Sequence, residues 1–189
     1  MSPAVVLLDA CTLYPAALRD VLMRLAVYGL SAARWTDAIH HEWIEAVLRD
    51  RPDLSRERLQ RTRELMDLHA EGCLVTGYEQ RMQDLDLPDS NDRHVLAAAI
   101  EAEAEIILTW NLRDFPAALL ASHGLRAATP DQWIAGLIED RRTEMVRILR
   151  EARLSLKQPP LTAAEYLATL HSQGLTSSCL LLEPFLDEL

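Results

Sequence analysis

The sequence has little cysteine and no long hydrophobic run. Its three cysteines, Cys11, Cys73 and Cys179, are odd in number and far apart, so they indicate neither a disulfide framework nor a cysteine zinc site. The longest early apolar run, Ala4–Leu8, ends at Asp9 and is far shorter than the roughly 20 residues that cross a bilayer. No basic segment precedes it, so we expect no secretory signal, no membrane contact and a cytoplasmic location.

Positive charge is also scarce. The formal net charge is −10 at pH 7, and Lys157 is the one lysine among 19 basic residues. Phosphate binding depends on local cations that displace counterions, so this charge argues against a surface that attracts nucleic acid everywhere. If nucleic acid binds, it binds a local patch, where arginine is the side chain better suited to bidentate phosphate contacts.

The length and composition are typical of one globular α/β unit with an appendage. The chain has 189 residues, of which 49% are hydrophobic and 25% charged, enough to bury one core of ordinary size. Strands are predicted at residues 4–8, 32–35, 73–76, 105–109 and 126–128. Helices are predicted at residues 18–30, 36–48, 55–70, 90–104 and 116–122. Because strands alternate with helices, we predict an α/β fold with a parallel sheet of about five strands flanked by helices.

The C-terminal part of the sequence predicts helices only. Thr129 and Thr162 each begin a capping box, and no strand pattern follows about residue 141. We therefore predict an α/β domain over residues 1–140 and a C-terminal helical extension over residues 141–189. The extension would pack on the α/β domain or on a partner.

Three acidic residues stand at positions where a carboxylate can do chemistry. Asp9 ends the first strand, and ligands of open parallel sheets bind beyond the carboxyl ends of strands. Glu42 falls at the margin of the apolar face of its helix, where a carboxylate needs a partner such as a metal ion. Asp92 lies in the first turn of its helix. Structural alternatives stay open: Asp9 would cap a helix, Glu42 would pair with arginine or reach water, and Asp92 would benefit from the helix dipole.

A polar loop follows the strand predicted at residues 105–109. It contains Thr109, Asn111 and Asp114, directly after the buried strand. Asp114 also has a structural alternative, as a cap on the short helix that begins near Pro116. Arg93 and Arg113 stand beside the acidic residues and are placed to contact a substrate.

Four segments have the order and spacing of a known family. They are Val5-Val6-Leu7-Leu8-Asp9, His41-Glu42-Trp43, Asp92-Arg93-His94-Val95-Leu96-Ala97-Ala98-Ala99, and Leu108-Thr109-Trp110-Asn111 through Asp114-Phe115-Pro116. Here the sequence resembles the PIN-domain nucleases, and within them the VapC-type toxins of bacterial toxin–antitoxin pairs. The resemblance covers roughly residues 4–131 and extends only weakly over the tail.

The resemblance implies an endoribonuclease whose carboxylates bind one or two Mg²⁺ or Mn²⁺ ions. Carried over by position, the catalytic acids are Asp9, Glu42, Asp92 and Asp114, the metal ligands are Asp9, Asp92, Asn111 and Asp114, and the substrate contacts are Thr109, Arg93 and Arg113. The family more often has Asp two residues after the Thr, where this chain has Asn111. Asn111 would ligate as a neutral group or through water, and Asp114 would supply the charge. The resemblance also implies an RNA substrate, a cognate antitoxin and a homodimer.

The chemistry explains why these residue types are needed. Mg²⁺ and Mn²⁺ prefer oxygen ligands, and clustered carboxylates repel one another until a cation neutralises them. The hypothesis is that the metal activates a water for in-line attack on a phosphodiester.

Two other functions compete with this hypothesis. The departure at Asn111 leaves open a catalytically inactive PIN-like module that binds RNA or protein. A phosphatase of the haloacid-dehalogenase kind would also have an aspartate at the end of its first strand. Such enzymes usually have a second aspartate two residues later, where this chain has Cys11, and this counts strongly against them.

Overall fold

The computed structural model describes residues 3–189 as a parallel sheet flanked by helices, followed by further helices. The elements are β1 (Ala4–Leu8), α1 (Ala10–Leu13), α2 (Ala16–Val27), β2 (Ser31–Arg34), α3 (Asp37–Asp50), α4 (Arg56–His69), α5 (Arg93–Glu101), β3 (Ile106–Leu108), α6 (Ala117–Ser122), β4 (Arg126–Ala128), α7 (Pro130–Ser155), α8 (Ala163–Ser172) and α9 (Thr176–Leu182). No helix within residues 3–189 has both the length and the apolar character needed to cross a membrane.

The sheet has the order β2-β1-β3-β4, and every neighbouring pair is parallel. The predicted α/β fold is thereby confirmed, with four strands instead of about five. The segment predicted as a strand at residues 73–76 forms only one parallel bridge, between Trp35 and Leu74. Gly72 and Gly77 both have positive φ, so the chain turns at each end of this segment. The pairing with Trp35 therefore does not extend into a ladder of several residues.

The core lies on both faces of β1 and β3. The residues of β3 are all buried, as are the last three of β1. Parallel strands covered by helices on both faces are expected to be apolar throughout. Helix α5 contacts both β1 and β3, and Ala97, Ala98 and Ala99 are all fully buried. Because consecutive helical residues point about 100° apart, the helix is covered on more than its sheet-facing side.

The C-terminal helices pack against α2 and against one another. Both predicted capping boxes form, at Thr129 and at Thr162. Helix α7 is interrupted at Arg141, where φ is −137° and ψ is 44°. The second half of α7 comes after this kink and is followed by α8 and α9. The division of the chain between residues 140 and 141 remains a prediction.

Candidate active site

Asp9 and Thr109 meet at the carboxyl edge of the sheet, because each directly follows one of two adjacent parallel strands. Thr109 Oγ1 donates a hydrogen bond of 2.7 Å to Asp9 Oδ2, and both residues are buried. Asp9 stands at the N-cap position of α1, but its carboxylate makes no capping hydrogen bond. The alternative that this side chain caps a helix is therefore wrong.

Cys11 is a second partner of Asp9 that the sequence pattern did not predict. Its thiol donates to Asp9 Oδ2 over 3.0 Å and accepts from the backbone N–H of Trp110 over 3.3 Å. Burial, followed by the nearby charge of Asp9, raises the pKa of Cys11 to about 12. The thiol therefore keeps its proton at neutral pH and can hold Asp9 Oδ2, while Oδ1 has no hydrogen-bond partner within residues 3–189.

Asp92 directly precedes α5, and the charges of other carboxylates act on it. It is half-buried, and its carboxylate makes no capping hydrogen bond. Burial raises its pKa, and the charges of Asp9, Asp89 and Asp114 raise it further, to about 6. The fold thus brings Asp9 and Asp114 near Asp92, together with Asp89, for which the sequence predicted no role.

Glu42 reaches the same region from α3 and pairs with a histidine. Its Oε1 lies 2.9 Å from Nε2 of His94 on α5, so the alternative of an arginine salt bridge is wrong. The side chain of Glu42 is 46% exposed, more than a place at the apolar margin suggests. Burial lowers the pKa of His94, but Glu42, Asp9 and Asp92 outweigh it, and the net pKa is raised. The cationic form of His94 is therefore favoured beside these acids.

The loop after β3 presents its polar side chains near the acids. The backbone N–H of Asn111 donates to Thr109 Oγ1 over 3.0 Å, and the Asn111 side chain is exposed. Asp114 is half-buried. The N-cap residue of α6 is Pro116, and that helix has no side-chain cap, so the alternative that Asp114 caps α6 is wrong.

No arginine within the described residues neutralises these acids. The nearest carboxylate to Arg93 is that of Asp86, at 3.9 Å, and Arg113 is exposed and makes no ion pair in residues 3–189. Over the same residues, no group of three or more His, Cys, Asp or Glu side chains is arranged so that it could hold a metal ion. Mg²⁺ commonly keeps several waters and binds proteins through one or two carboxylates. An all-oxygen, unpaired and partly open donor set fits an ion of that kind.

A groove adjoins the acids between α1 and α3. Its volume is about 380 Å³, and Cys11, Tyr14, Glu42, Trp43 and Arg49 are among the residues that line it. The hydroxyl of Tyr14 donates to Asp50 over 2.8 Å. We name this feature the α1–α3 groove. It offers an apolar, partly aromatic surface beside a carboxylate.

Comparisons with known proteins give two family matches and a partial match to one relative. A family model described as the PIN domain matches residues 5–113, more than half of the chain, and a second model, described as the VapC50 C-terminal domain, matches residues 130–184. A candidate ribonuclease, VapC50, from Mycobacterium tuberculosis (strain ATCC 25618 / H37Rv) is 46% identical over 43 residues. That alignment spans 23% of this chain and 25% of the relative. No solved structure gives a significant match.

Proposed function

Because this chain belongs to the PIN-domain family, we propose that it is a metal-dependent endoribonuclease and the toxin of a bacterial type II toxin–antitoxin system. One observation carries the proposal. Asp92 lies near Asp9, which is buried at the carboxyl edge of the sheet, and near Asp114, with no arginine to neutralise them within residues 3–189. Buried charges without a partner are costly, and a divalent cation is the partner that suits clustered carboxylates.

Asp9, together with Asp92 or Asp114, would hold Mg²⁺ or Mn²⁺, with Asn111 as a neutral oxygen ligand and waters at the remaining positions. When bound, the cation supplies positive charge for the attacking and leaving oxygens of a phosphodiester. Thr109 and Cys11 hold Asp9 Oδ2, which leaves Oδ1 available as a ligand. These two hydrogen bonds orient Asp9 before any ion arrives.

Glu42 is the acid that would accept a proton from the attacking water. A general base must be held within hydrogen-bond reach of the proton it takes. His94 holds Glu42 Oε1 at 2.9 Å, while the exposed part of the carboxylate faces solvent. Arg113, exposed and free of ion pairs within residues 3–189, would contact an RNA phosphate, and Arg93 would contact a neighbouring phosphate. Thr109 was predicted as a substrate contact, but it is fully buried and donates to Asp9, so it would act by holding Asp9 and not by touching the RNA.

The test is cleavage of single-stranded RNA by the purified protein. We expect cleavage in Mg²⁺ or Mn²⁺, loss of cleavage with a chelator, and recovery when the cation is restored. Release of phosphate from small phosphomonoesters without RNA cleavage would overturn the proposal, although the family match lends no support to that alternative. The second candidate, an inactive PIN-like module, is favoured by Asn111 and predicts neither cleavage nor a need to bind Mg²⁺ or Mn²⁺.

The α1–α3 groove would receive a base next to the scissile phosphate. Replacing Tyr14 by alanine should raise KM for an RNA oligonucleotide about tenfold and leave kcat nearly unchanged, because stacking of one base contributes about 1–3 kcal/mol. Tyr14→Phe is the matched control, since it loses only the hydrogen bond to Asp50 and keeps the ring. Steady-state kinetics of both variants and of the wild type test this prediction. A KM of Tyr14→Ala equal to that of Tyr14→Phe and of the wild type would refute a stacking role.

The toxin hypothesis also includes a cognate antitoxin and a homodimer. Exposed apolar side chains support a protein contact: Val27 is 56% exposed and Leu68 74%. Val27 borders a recess of about 530 Å³ between α2 and α4, and none of Asp9, Glu42, Asp92 and Asp114 lines it. Sedimentation velocity of the chain alone tests the homodimer, for which we expect a single dimeric species.

A further inference from the structure

The turn between α8 and α9 lies directly against Trp110, the residue that follows Thr109. Gly174, in this turn, has a φ of +97°, and a Cβ built on it would be 2.7 Å from Cη2 and 3.1 Å from Cζ2 of Trp110. Real Cβ atoms essentially never come closer than 3.0 Å to such a neighbour. The indole therefore rests on the backbone of the C-terminal extension, at a place that only glycine leaves open.

The neighbouring residue of the same turn contacts a second part of the α/β domain. Gln173 Oε1 accepts a hydrogen bond of 2.8 Å from the backbone N–H of Leu18, in the first turn of α2. The N-cap residue of α2 is Pro15, which provides no side-chain cap. Because the first N–H groups of a helix have no partner within the helix, Gln173 supplies from the tail a cap that α2 lacks locally.

The contact with Trp110 leads directly to the candidate active site. The backbone N–H of Trp110 is bonded to Cys11 Sγ, and Cys11 donates to Asp9 Oδ2. Trp110 is thus held at its backbone by Cys11 and at its ring by Gly174. Asn111 is the next residue in the chain, so movement of the indole would move this proposed ligand.

The start of α9, which follows the turn, is firmly held. Asp131, in the first turn of α7, accepts hydrogen bonds from the backbone N–H groups of Ser177 and Ser178, at 2.9 and 2.8 Å, and from the hydroxyl of Ser178 at 2.8 Å. Leu175 beside the turn is 1% exposed. The segment of the C-terminal extension that contacts Trp110 is therefore packed into the fold.

We propose that the turn formed by Gln173 and Gly174 positions the active-site loop, so that the C-terminal extension is part of the nuclease site. By holding the Trp110 ring, the turn keeps Asn111 and Asp114 in place for the cation. Gly174 and Trp110 are positioning residues that act through these two ligands. The inference rests on the proposed function, since the reaction for which the loop is positioned is the metal-dependent cleavage of RNA.

The test compares Gly174→Ala with Gly124→Ala. Gly124 also has a positive φ, of +72°, but an added Cβ there meets nothing within 4 Å, so both variants strain the backbone and only Gly174→Ala displaces Trp110. We expect Gly174→Ala to lower kcat about tenfold or more and to weaken Mn²⁺ binding severalfold, measured by electron paramagnetic resonance of free Mn²⁺. Gly124→Ala should stay within about twofold of wild type in both.

Two further variants keep the outcome decisive. Trp110→Phe in the Gly174→Ala background shortens the ring that the new methyl group meets, so we expect it to recover Mn²⁺ affinity. Trp110→Leu, which leaves the turn unstrained, should weaken Mn²⁺ binding as Gly174→Ala does, even if Gly174→Ala does not fold. Mn²⁺ affinities of Gly174→Ala and Trp110→Leu equal to those of Gly124→Ala and wild type would overturn the inference. A wild-type chain that binds Mn²⁺ but does not cleave RNA would instead overturn the proposed function.

Discussion

Asp9→Asn should lower the rate of RNA cleavage by a thousandfold or more while the protein stays folded. Asparagine has the shape of aspartate, and its amide oxygen can still accept the hydrogen bonds from Thr109 and Cys11. What disappears is the negative charge with which Asp9 would hold the cation, and removing charge stabilisation at a reacting phosphodiester costs about three orders of magnitude or more. Single-turnover cleavage of an RNA oligonucleotide in Mg²⁺ measures the effect.

A matched variant separates this effect from a general loss of charge. Asp140 is exposed on α7 and far from the candidate site in sequence, so Asp140→Asn makes the same chemical change elsewhere. We expect wild-type cleavage from Asp140→Asn, and thermal unfolding of both variants at or above the wild-type temperature. Cleavage by Asp9→Asn as fast as by the wild type would refute the proposed mechanism.

Asp92→Asn should act in opposite directions on stability and on activity. The pKa of Asp92 rises from 3.8 to about 6 in the folded protein, first by burial and then by neighbouring carboxylates. A carboxyl whose pKa is raised by folding stabilises the folded state below its unfolded pKa, and that stabilisation is lost as pH increases through about 6. The metal-free protein should therefore be less stable at pH 8 than at pH 5.

The size of this effect follows from the same values. A rise from 3.8 to about 6 corresponds to at most about 3 kcal/mol, and partial exposure of Asp92 reduces this to about 1–2 kcal/mol. Asp92→Asn should recover this free energy of unfolding at pH 8 without metal, while it lowers RNA cleavage about a hundredfold or more. Urea denaturation at both pH values, with and without Mg²⁺, tests the prediction. A variant less stable than the wild type at pH 8 would contradict it.

The sequence was sufficient to predict the edge of the sheet where Asp9 and Thr109 meet. Both follow buried apolar strands, and parallel topology brings the ends of adjacent strands together, so their proximity needed no knowledge of packing. The capping boxes at Thr129 and Thr162 were also predictable, because each depends only on residues within the first turn of one helix. The segment at residues 73–76 shows the limit of that reasoning. A strand pattern in the sequence does not reveal how many residues can pair with a neighbouring strand when the chain turns at both ends of the segment.

The partners of the acids could not be predicted in this way. The pairing of Glu42 with His94 depends on how α3 and α5 pack against each other. The helical period of α3 predicts only which of its faces is buried, and not which residue of α5 that face meets. The bond from Cys11 to Asp9 had a local signal, a side chain with a polar hydrogen two residues after Asp9. The contact of Gly174 with Trp110 joins two helices of the tail to a loop far away in sequence, and no periodicity or motif connects them.

Anomalous scattering from crystals soaked in Mn²⁺ is the most direct test of the central claim that one cation joins these acids. We predict a peak about 2.1 Å from an oxygen of Asp9 and from an oxygen of Asp92 or Asp114. A peak elsewhere, or no peak at Mn²⁺ concentrations that support RNA cleavage, would contradict the claim.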